Sequence, residues 1–587
     1  MRGSLRHRRG HRWIRRLLAG ATGAVRSAAA ALRGRWSTRR VLAGAAAGAL
    51  SAGAAVLALV GLGADFHTVG SSTGAWITGY VQGVLDVGDF AMVSNLGRIP
   101  NTQLNLVFPG LMAALAWLTR ASPVLVGHLL AAGGLGLAAL LLGRLWAPGR
   151  DPIAGVLAAA AFAWPPAVAT GALIRPDSLA FSGVIACVLL GVRLARGGAW
   201  QVWLGAGVLL GLTHQTREYL VAPAAGALAA GWALALARSG RGARALPAMI
   251  RVLWLFAGVG LSSTLPLALG FLPWNGLSTL LAYSRQSGSQ GYGIAALLYL
   301  PALGPVWLLG AGGLAAAAWR GAGPRRDAAL VQVGALLPWA AFLLSRQQSP
   351  QYYVLAEALL LAGWVGWLDL VPTRGPRWAA ATILMFLGLS WSLPRARALV
   401  DGQPESYRPR LHQEAWPARG SEVAAVVDWA WAQVGQRPLV VVSRYIENLG
   451  EVFMVRHARP VITLRDEGWT DEVGDLRRFH QGREIAVLTV GGPHHPAAAA
   501  PGCVADDSLT TEALLATLYR CDGTDLPAES RRRDYPCVDW FGACQQLDWL
   551  AGGLERLRQR ARDPGPEFAG GVSPGILPWD RGPGRRP

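Results

Sequence analysis

Residues 104–119 read Leu104-Asn105-Leu106-Val107-Phe108-Pro109-Gly110-Leu111-Met112-Ala113-Ala114-Leu115-Ala116-Trp117-Leu118-Thr119. The run is apolar enough to enter a bilayer, but its sixteen residues fall below the roughly 17–25 that a spanning helix needs, and Pro109 lies inside it. Whether it crosses decides the side on which every later loop lies, and the arginines answer that. With 104–119 along the membrane surface and the N-terminus inside, the inner loops hold thirteen arginines (144, 150, 193, 196, 238, 241, 244, 251, 320, 325, 326, 374 and 377). The outer loops then hold six: Arg98, Arg120, Arg175, Arg217, Arg285 and Arg346. Letting the run cross would invert every later loop and put the excess outside, against the retention of positive charge on the cytoplasmic side.

Eleven further apolar stretches surround it, near 41–63, 122–145, 152–173, 178–195, 200–216, 219–237, 251–271, 294–319, 328–345, 351–371 and 378–394. The expected fold class is therefore mainly α: a polytopic membrane protein with about 11 transmembrane helices and a C-terminal extracytoplasmic α/β domain. Composition agrees. Of 587 residues 52% are hydrophobic and 15% charged, and mean hydropathy is +0.31, whereas soluble domains carry about 25% charged residues. A single soluble core is excluded.

The formal charge of +20 is concentrated at the N-terminus and in loops. Residues 1–40 carry twelve arginines and no acid, and read as a basic cytoplasmic tail followed by a signal anchor at 41–63. Residues 395–587 carry twenty-four arginines against twenty-six acids. A basic tail beside a membrane span meets anionic headgroups, so membrane lipids are expected partners and nucleic acid is not. The domains expected are 1–40, the tail; 41–394, a transmembrane catalytic domain with an outer loop at 64–121; 395–562, a periplasmic α/β domain; and 563–587, a disordered tail rich in Pro, Gly and Arg. In the third of these, helix (421–434), β-rich run (439–443), helix (446–457) and β-rich runs (460–464, 484–490) alternate. Cys503, Cys521, Cys537 and Cys544 crowd the same region and allow three pairings, which suits an oxidising compartment.

Walker, HExxH and CxxC signatures are missing, and no repeat of fixed period stands out. The chemistry-bearing residues gather instead at outer ends of apolar stretches: Asp65 after the first, Arg175-Pro176-Asp177 after the third, and His214-Gln215-Thr216-Arg217-Glu218-Tyr219 after the fifth. Ionisable groups at a membrane boundary are costly and are usually retained for a pathway or a site. Carboxylates there can serve as a general base, and arginine forks can bind a phosphate as it departs. Glu357, six residues into a stretch, needs a partner or a proton.

With these residues in view, the sequence resembles the GT-C membrane glycosyltransferases, especially the branch of protein O-mannosyltransferases and lipid A aminoarabinose transferases. In that pattern a catalytic Asp follows the first span, as Asp65 does; Val87-Gly88-Asp89-Phe90 is similar to its Gly-Asp-aromatic helix end. Asn95 to Pro109 followed by Gly110 to Leu118 resembles its Pro-rich segment and surface helix, and Asp177 resembles its second acid. Gly211-Leu212-Thr213 with Arg217, and Arg346 through Tyr352 and Tyr353, resemble two later motifs. The resemblance covers residues 41 to about 490. It departs at Phe66, where many members carry Glu, and at Asn101-Thr102-Gln103-Leu104, which replaces the Glu-Lys-Pro-Pro of the aminoarabinose branch, so Arg98 or Arg217 would take over the role of that lysine.

The resemblance implies an inner-membrane glycosyltransferase that moves a sugar from a polyprenyl-phosphate donor to a periplasmic-side acceptor, whether lipid, glycan or protein. Asp65 and Asp177 are the implied catalytic acids; Asp89, Arg98, Arg217, Glu218, Arg346 and Tyr352 are the implied substrate-binding residues. No cofactor is certain, and a divalent metal ion stays open. Two rivals are a secondary transporter, which would show broken mid-membrane helices and a repeat, and a non-catalytic envelope assembly subunit.

Overall fold

The computed structural model describes residues 53, 72–87, 91–94, 97–100, 107–147, 152–239, 245–268, 308–321, 323–343, 354–371, 376–377, 379–381, 383–384, 420–435, 437, 439–443, 449–457, 461–465, 484–493 and 503–521. In chain order these begin with helix α1 (Ser72–Val87), the strands β1 (Ala91–Ser94) and β2 (Gly97–Pro100), α2 (Val107–Thr119) and α3 (Pro123–Trp146). Next come α4 (Pro152–Ala159), α5 (Pro165–Ala172), α6 (Asp177–Leu194), α7 (Trp200–Thr216), α8 (Val221–Ser239) and α9 (Ala245–Ala268). The helical layer closes with α10 (308–320), α11 (Pro324–Leu343) and α12 (Val354–Ala362). A smaller unit follows, of α13 (Gly420–Val434), β3 (Leu439–Ser443), α14 (Leu449–His457), β4 (Ile462–Arg465), β5 (Ile485–Gly491), β6 (Val504–Thr510) and β7 (Leu515–Cys521).

Three helical stretches among the described residues are long and apolar enough to cross a membrane: Pro123–Trp146, Asp177–Leu194 and Glu218–Arg238. They approach closely because glycine lines their contacts. A Cβ on Gly231 would sit 2.2 Å from the Gly191 carbonyl oxygen, and one on Gly134 would sit 2.7 Å from the Leu179 backbone nitrogen. Small residues at such crossings let backbones meet where lipid supplies no hydrophobic drive between helices. Buried polar groups are satisfied across the same layer. The Trp146 indole donates to Gln332 Oε1 at 2.9 Å, and Gln332 Nε2 donates to the Leu359 carbonyl at 2.6 Å.

Two expected single helices are interrupted. The stretch 152–173 is not one span but two eight-residue helices, α4 and α5, joined by the 3-10 turn Ala160–Ala163. Pro165 and Pro166 lack the N–H groups that would continue the ladder, so Pro165 opens a new helix instead. Likewise 351–371 passes from α12 into the 3-10 segment Gly363–Leu370. There a Gly363 Cβ would sit 2.5 Å from the Gly310 carbonyl oxygen, so α10 crosses at the change of helix type. The first and eleventh expected spans lie outside the described residues except for single or scattered positions, as does most of the eighth before residue 308.

α2 accounts for most of the 104–119 run. Its thirteen residues rise about 20 Å, short of the ~30 Å hydrocarbon layer. Phe108, Met112, Ala113 and Ala116 are buried, whereas Leu111, Leu115, Trp117 and Leu118 are exposed. Both faces are thus apolar, one toward protein and one away from it.

The C-terminal unit is α/β as read, with a five-stranded sheet in the order β4-β3-β5-β7-β6. β3 runs parallel to β4 and β5, and β7 runs antiparallel to β5 and β6. β3 and β5 are buried along their whole length, as expected of central strands with near-continuous apolar sequence. Of the three cysteine pairings left open, the structure includes a Cys503–Cys521 disulfide that ties β6 to β7; Cys537 and Cys544 lie outside the described residues. This unit is not separate from the outer loop. Val426, Phe453 and Leu488 share one buried apolar cluster with Ile77 and Val81 of α1, Phe108 and Met112 of α2, and Ile174, and α14 packs on α1.

Candidate active site

The segment that links α5 to α6 is shaped by α3. Ile174 lies over Gly127, whose absent Cβ would sit 2.8 Å from the Ile174 Cγ2 atom. One residue along α3, His128 Nδ1 is 3.0 Å from the Ala172 carbonyl oxygen. A carbonyl only accepts, so Nδ1 carries the proton and the tautomer is fixed at that nitrogen. Held in this way, the segment turns Arg175 inward and starts α6 with Asp177, whose carboxylate sits at the positive end of the helix dipole.

The second half comes from the break between α7 and α8. Arg217 is extended (φ −159°, ψ 112°), which stops α7 at Thr216, and Glu218–Leu220 form a 3-10 turn. Across this corner the side chains of Arg217 and Tyr219 both reach Asp177. Tyr219 donates its hydroxyl to Asp177 Oδ1 at 2.5 Å, and Arg217 Nε pairs with the same oxygen at 3.4 Å. Arg175 Nε donates to Asp177 Oδ2 at 3.2 Å. The Arg217 guanidinium also lies 5.4 Å from the centre of the Tyr219 ring, within cation–π range, and Trp339 meets that ring edge-on at 6.3 Å.

Asp177 and Arg175 are each 1% exposed and Arg217 is 8% exposed. Burying ions is expensive, and it is offset only where opposite charges and hydrogen bonds meet with good geometry. Here two guanidinium groups and a phenol converge on one carboxylate. Arg175 and Asp177 are thus a buried pair. Both carboxylate oxygens are engaged, so Asp177 is placed to orient arginines.

Of the residues singled out in the sequence, the structure brings together Asp177 and Arg217. Glu218 follows Arg217 in the 3-10 turn and is half-buried. Arg98 stands in β2 opposite Val93. Asp65, Asp89, Arg346 and Tyr352 lie outside the described residues. Tyr219 stood in the run quoted after the fifth stretch but was given no role; the signal was a lone phenol just past the Arg217-Glu218 pair, at the foot of an apolar stretch. Glu357 is buried, as its place within a stretch requires. Among the described residues no group of three or more His, Cys, Asp and Glu side chains is arranged to hold a metal ion.

No family model and no curated protein sequence matches this chain. Among solved structures, it is similar to the crystal structure of ArnT from Cupriavidus metallidurans bound to undecaprenyl phosphate. That match has 13% identity and a TM-score of 0.49, covering 83% of this chain and 98% of that one. It is also similar to the cryo-EM structure of the arabinosyltransferase EmbB from Mycobacterium smegmatis, at 16% identity and a TM-score of 0.38 over 58% of this chain and 31% of that one. A third is the archaeal oligosaccharyltransferase AglB from Archaeoglobus fulgidus, in complex with an inhibitory peptide and a dolichol-phosphate. There the identity is 11% and the TM-score 0.42, over 75% of this chain and 69% of that one.

Proposed function

We propose that this chain is an integral-membrane glycosyltransferase of the GT-C kind. It transfers a sugar from a polyprenyl-phosphate donor to an acceptor on the outer side of a bacterial inner membrane. In this reading it has eleven spans, an internal N-terminus and an external C-terminal domain, with α2 lying along the outer surface. The observation that carries the proposal is the pair of arginines, Arg175 and Arg217, anchored on buried Asp177 at the end of helices long enough to cross a membrane.

A polyprenyl-phosphate sugar keeps its tail in the bilayer and its phosphate at that boundary. Planar, permanently charged guanidinium groups suit a phosphate oxyanion, and holding them by a carboxylate fixes them before the reaction starts. In the proposed step an acceptor hydroxyl attacks the anomeric carbon. Its proton passes to Asp65, the bond from carbon to phosphate oxygen breaks, and the lipid phosphate leaves against Arg175 and Arg217. Asp177 positions both arginines, and Arg98 and Arg346 are proposed as further phosphate contacts.

The test is transfer by the purified protein from a panel of radiolabelled polyprenyl-phosphate sugars, with Asp65→Asn and Arg217→Ala beside the parent. Loss of about two to four orders of magnitude on removing the base is expected. Parent-level transfer by Asp65→Asn would refute the assignment of the base. Absence of transfer from any polyprenyl-phosphate sugar, with normal cellular function retained by Asp65→Asn, would favour a non-catalytic assembly subunit.

A further inference from the structure

A second buried aspartate sits at the other end of the helical layer. Asp327, 3% exposed in the first turn of α11, receives Arg196 Nε at 3.0 Å and pairs with Arg238 through that residue's terminal nitrogens. Arg238 also donates to the Ala195 carbonyl at 2.9 Å, so the ends of α6 and α8 and the start of α11 are tied at one point. α6 runs from Asp177 to Leu194, and its eighteen residues rise about 27 Å, close to the ~30 Å thickness of a hydrocarbon layer. With Asp177 at one boundary, the Asp327 knot falls at the opposite one.

The knot is built differently from the site around Asp177. Arg196 and Arg238 each keep 45% of their side chains exposed while one edge of each guanidinium is fixed on Asp327. Arg193, whose carbonyl accepts from the Arg196 amide at 3.1 Å, and Arg326, next to Asp327, are exposed as well. Neither makes an ion pair among the described residues. One carboxylate therefore holds two half-exposed arginines, and two further exposed arginines lie close by in sequence, Arg193 on α6 and Arg326 on α11. Fixing long cationic side chains in advance lowers the entropy lost when an anion binds.

We propose that this end of α6, α8 and α11 is a binding site for the phosphate of anionic phospholipid headgroups, formed by Arg196 and Arg238, anchored on Asp327, with the exposed Arg193 and Arg326. The proposal does not depend on the transfer reaction. Basic pockets between spanning helices bind such headgroups, and each arginine near an anionic surface contributes roughly a fivefold gain in affinity. Its position at the ends of spanning helices favours a bilayer lipid over soluble phosphate.

The experiment follows the thermal unfolding of the full chain in detergent during titration with phosphatidylglycerol, phosphatidylcholine or inorganic phosphate. The variants are Arg193→Gln with Arg326→Gln, the same pair changed to Lys, and Arg120→Gln, an exposed arginine beyond the Asp177 end. Phosphatidylglycerol alone is expected to raise the midpoint of the parent, with an apparent affinity about twenty-five-fold weaker in the double Gln variant. The Lys pair should recover most of the response, and Arg120→Gln should keep all of it. An unchanged titration in the double Gln variant would overturn the site, as would a Lys pair no better than Gln. An equal rise with phosphatidylcholine would remove the charge requirement, and an equal rise with inorganic phosphate would show a free-anion site.

Discussion

Asp177 is where a one-atom change has the largest expected effect. Replacing it by Asn keeps the shape but leaves Arg175 and Arg217 buried without their shared counter-charge. Breaking a buried pair in this way costs about 3–5 kcal/mol, because the remaining ions stay desolvated. Tyr219→Phe removes only the phenol donor, and a hydrogen bond to a charged acceptor contributes about 1.5–3 kcal/mol. Thermal unfolding in detergent should therefore rank the proteins parent, Tyr219→Phe, Asp177→Asn in order of falling midpoint. A midpoint for Asp177→Asn equal to that of the parent would mean that the arginines are not held by the carboxylate.

Between elements, the decisive quantity is the distance between backbones. α6 and α8 touch where Gly191 faces Gly231, and even a methyl group on Gly231 would collide with a backbone oxygen that cannot move aside. Gly231→Ala should force the helices apart, at the roughly 1–3 kcal/mol typical of overpacking. Gly205, in the middle of α7, has nothing within 4 Å of its missing Cβ. Gly205→Ala should therefore be neutral or mildly stabilising, since alanine is the better helix former by about 1 kcal/mol. Measured side by side, opposite signs for the two changes would establish that the α6–α8 crossing, and not helix propensity, governs the result. Such crossings also explain what could be read beforehand. Apolar length marked the helices at 122–145, 178–195 and 219–237 within a residue or two, because lipid imposes that length. The break within 152–173 turned on two prolines that a window of hydrophobicity averages away.

On the scale of the whole molecule, the C-terminal sheet was only half visible in sequence. β3 and β5 are apolar and buried and were read directly. β6, Val-Ala-Asp-Asp-Ser-Leu-Thr, is an exposed edge strand without alternation, and so it carried no signal. β7 alternates in burial from Leu515 to Cys521, but its sequence does not alternate and it was not read; four nearby cysteines left the disulfide partner undecided. The site was legible as charged residues at the ends of apolar runs. What sequence could not supply was convergence: residues 175–177 and 217–219 meet only because α6 and α7 pack side by side.

The sheet unit has its own charge-dependent tie. On α13, Asp428 accepts from Arg456 Nε at 3.0 Å and from its terminal nitrogen at 2.6 Å, and it lies 3.0 Å from His457 Nε2, both partners being on α14. Hydrogen bonds from Arg456 hold this carboxyl below its usual range, against a smaller opposing effect of burial. A lowered carboxylate stabilises the fold fully above its unfolded value, near 4, and loses that contribution as pH falls through the folded value. The gap in thermal midpoint between the parent and Asp428→Asn should be present near pH ~6 and close as the pH drops below ~4. With the side chain 47% exposed, the gap will be small and salt-sensitive. A gap that widens in acid would contradict the sign.

α14 is also the helix that rests on α1, and through the shared apolar cluster the sheet reaches Ile174, the neighbour of Arg175. In the proposed orientation, a compound confined to the external medium that bound the sheet would touch the packing behind Arg175 without ever traversing the bilayer.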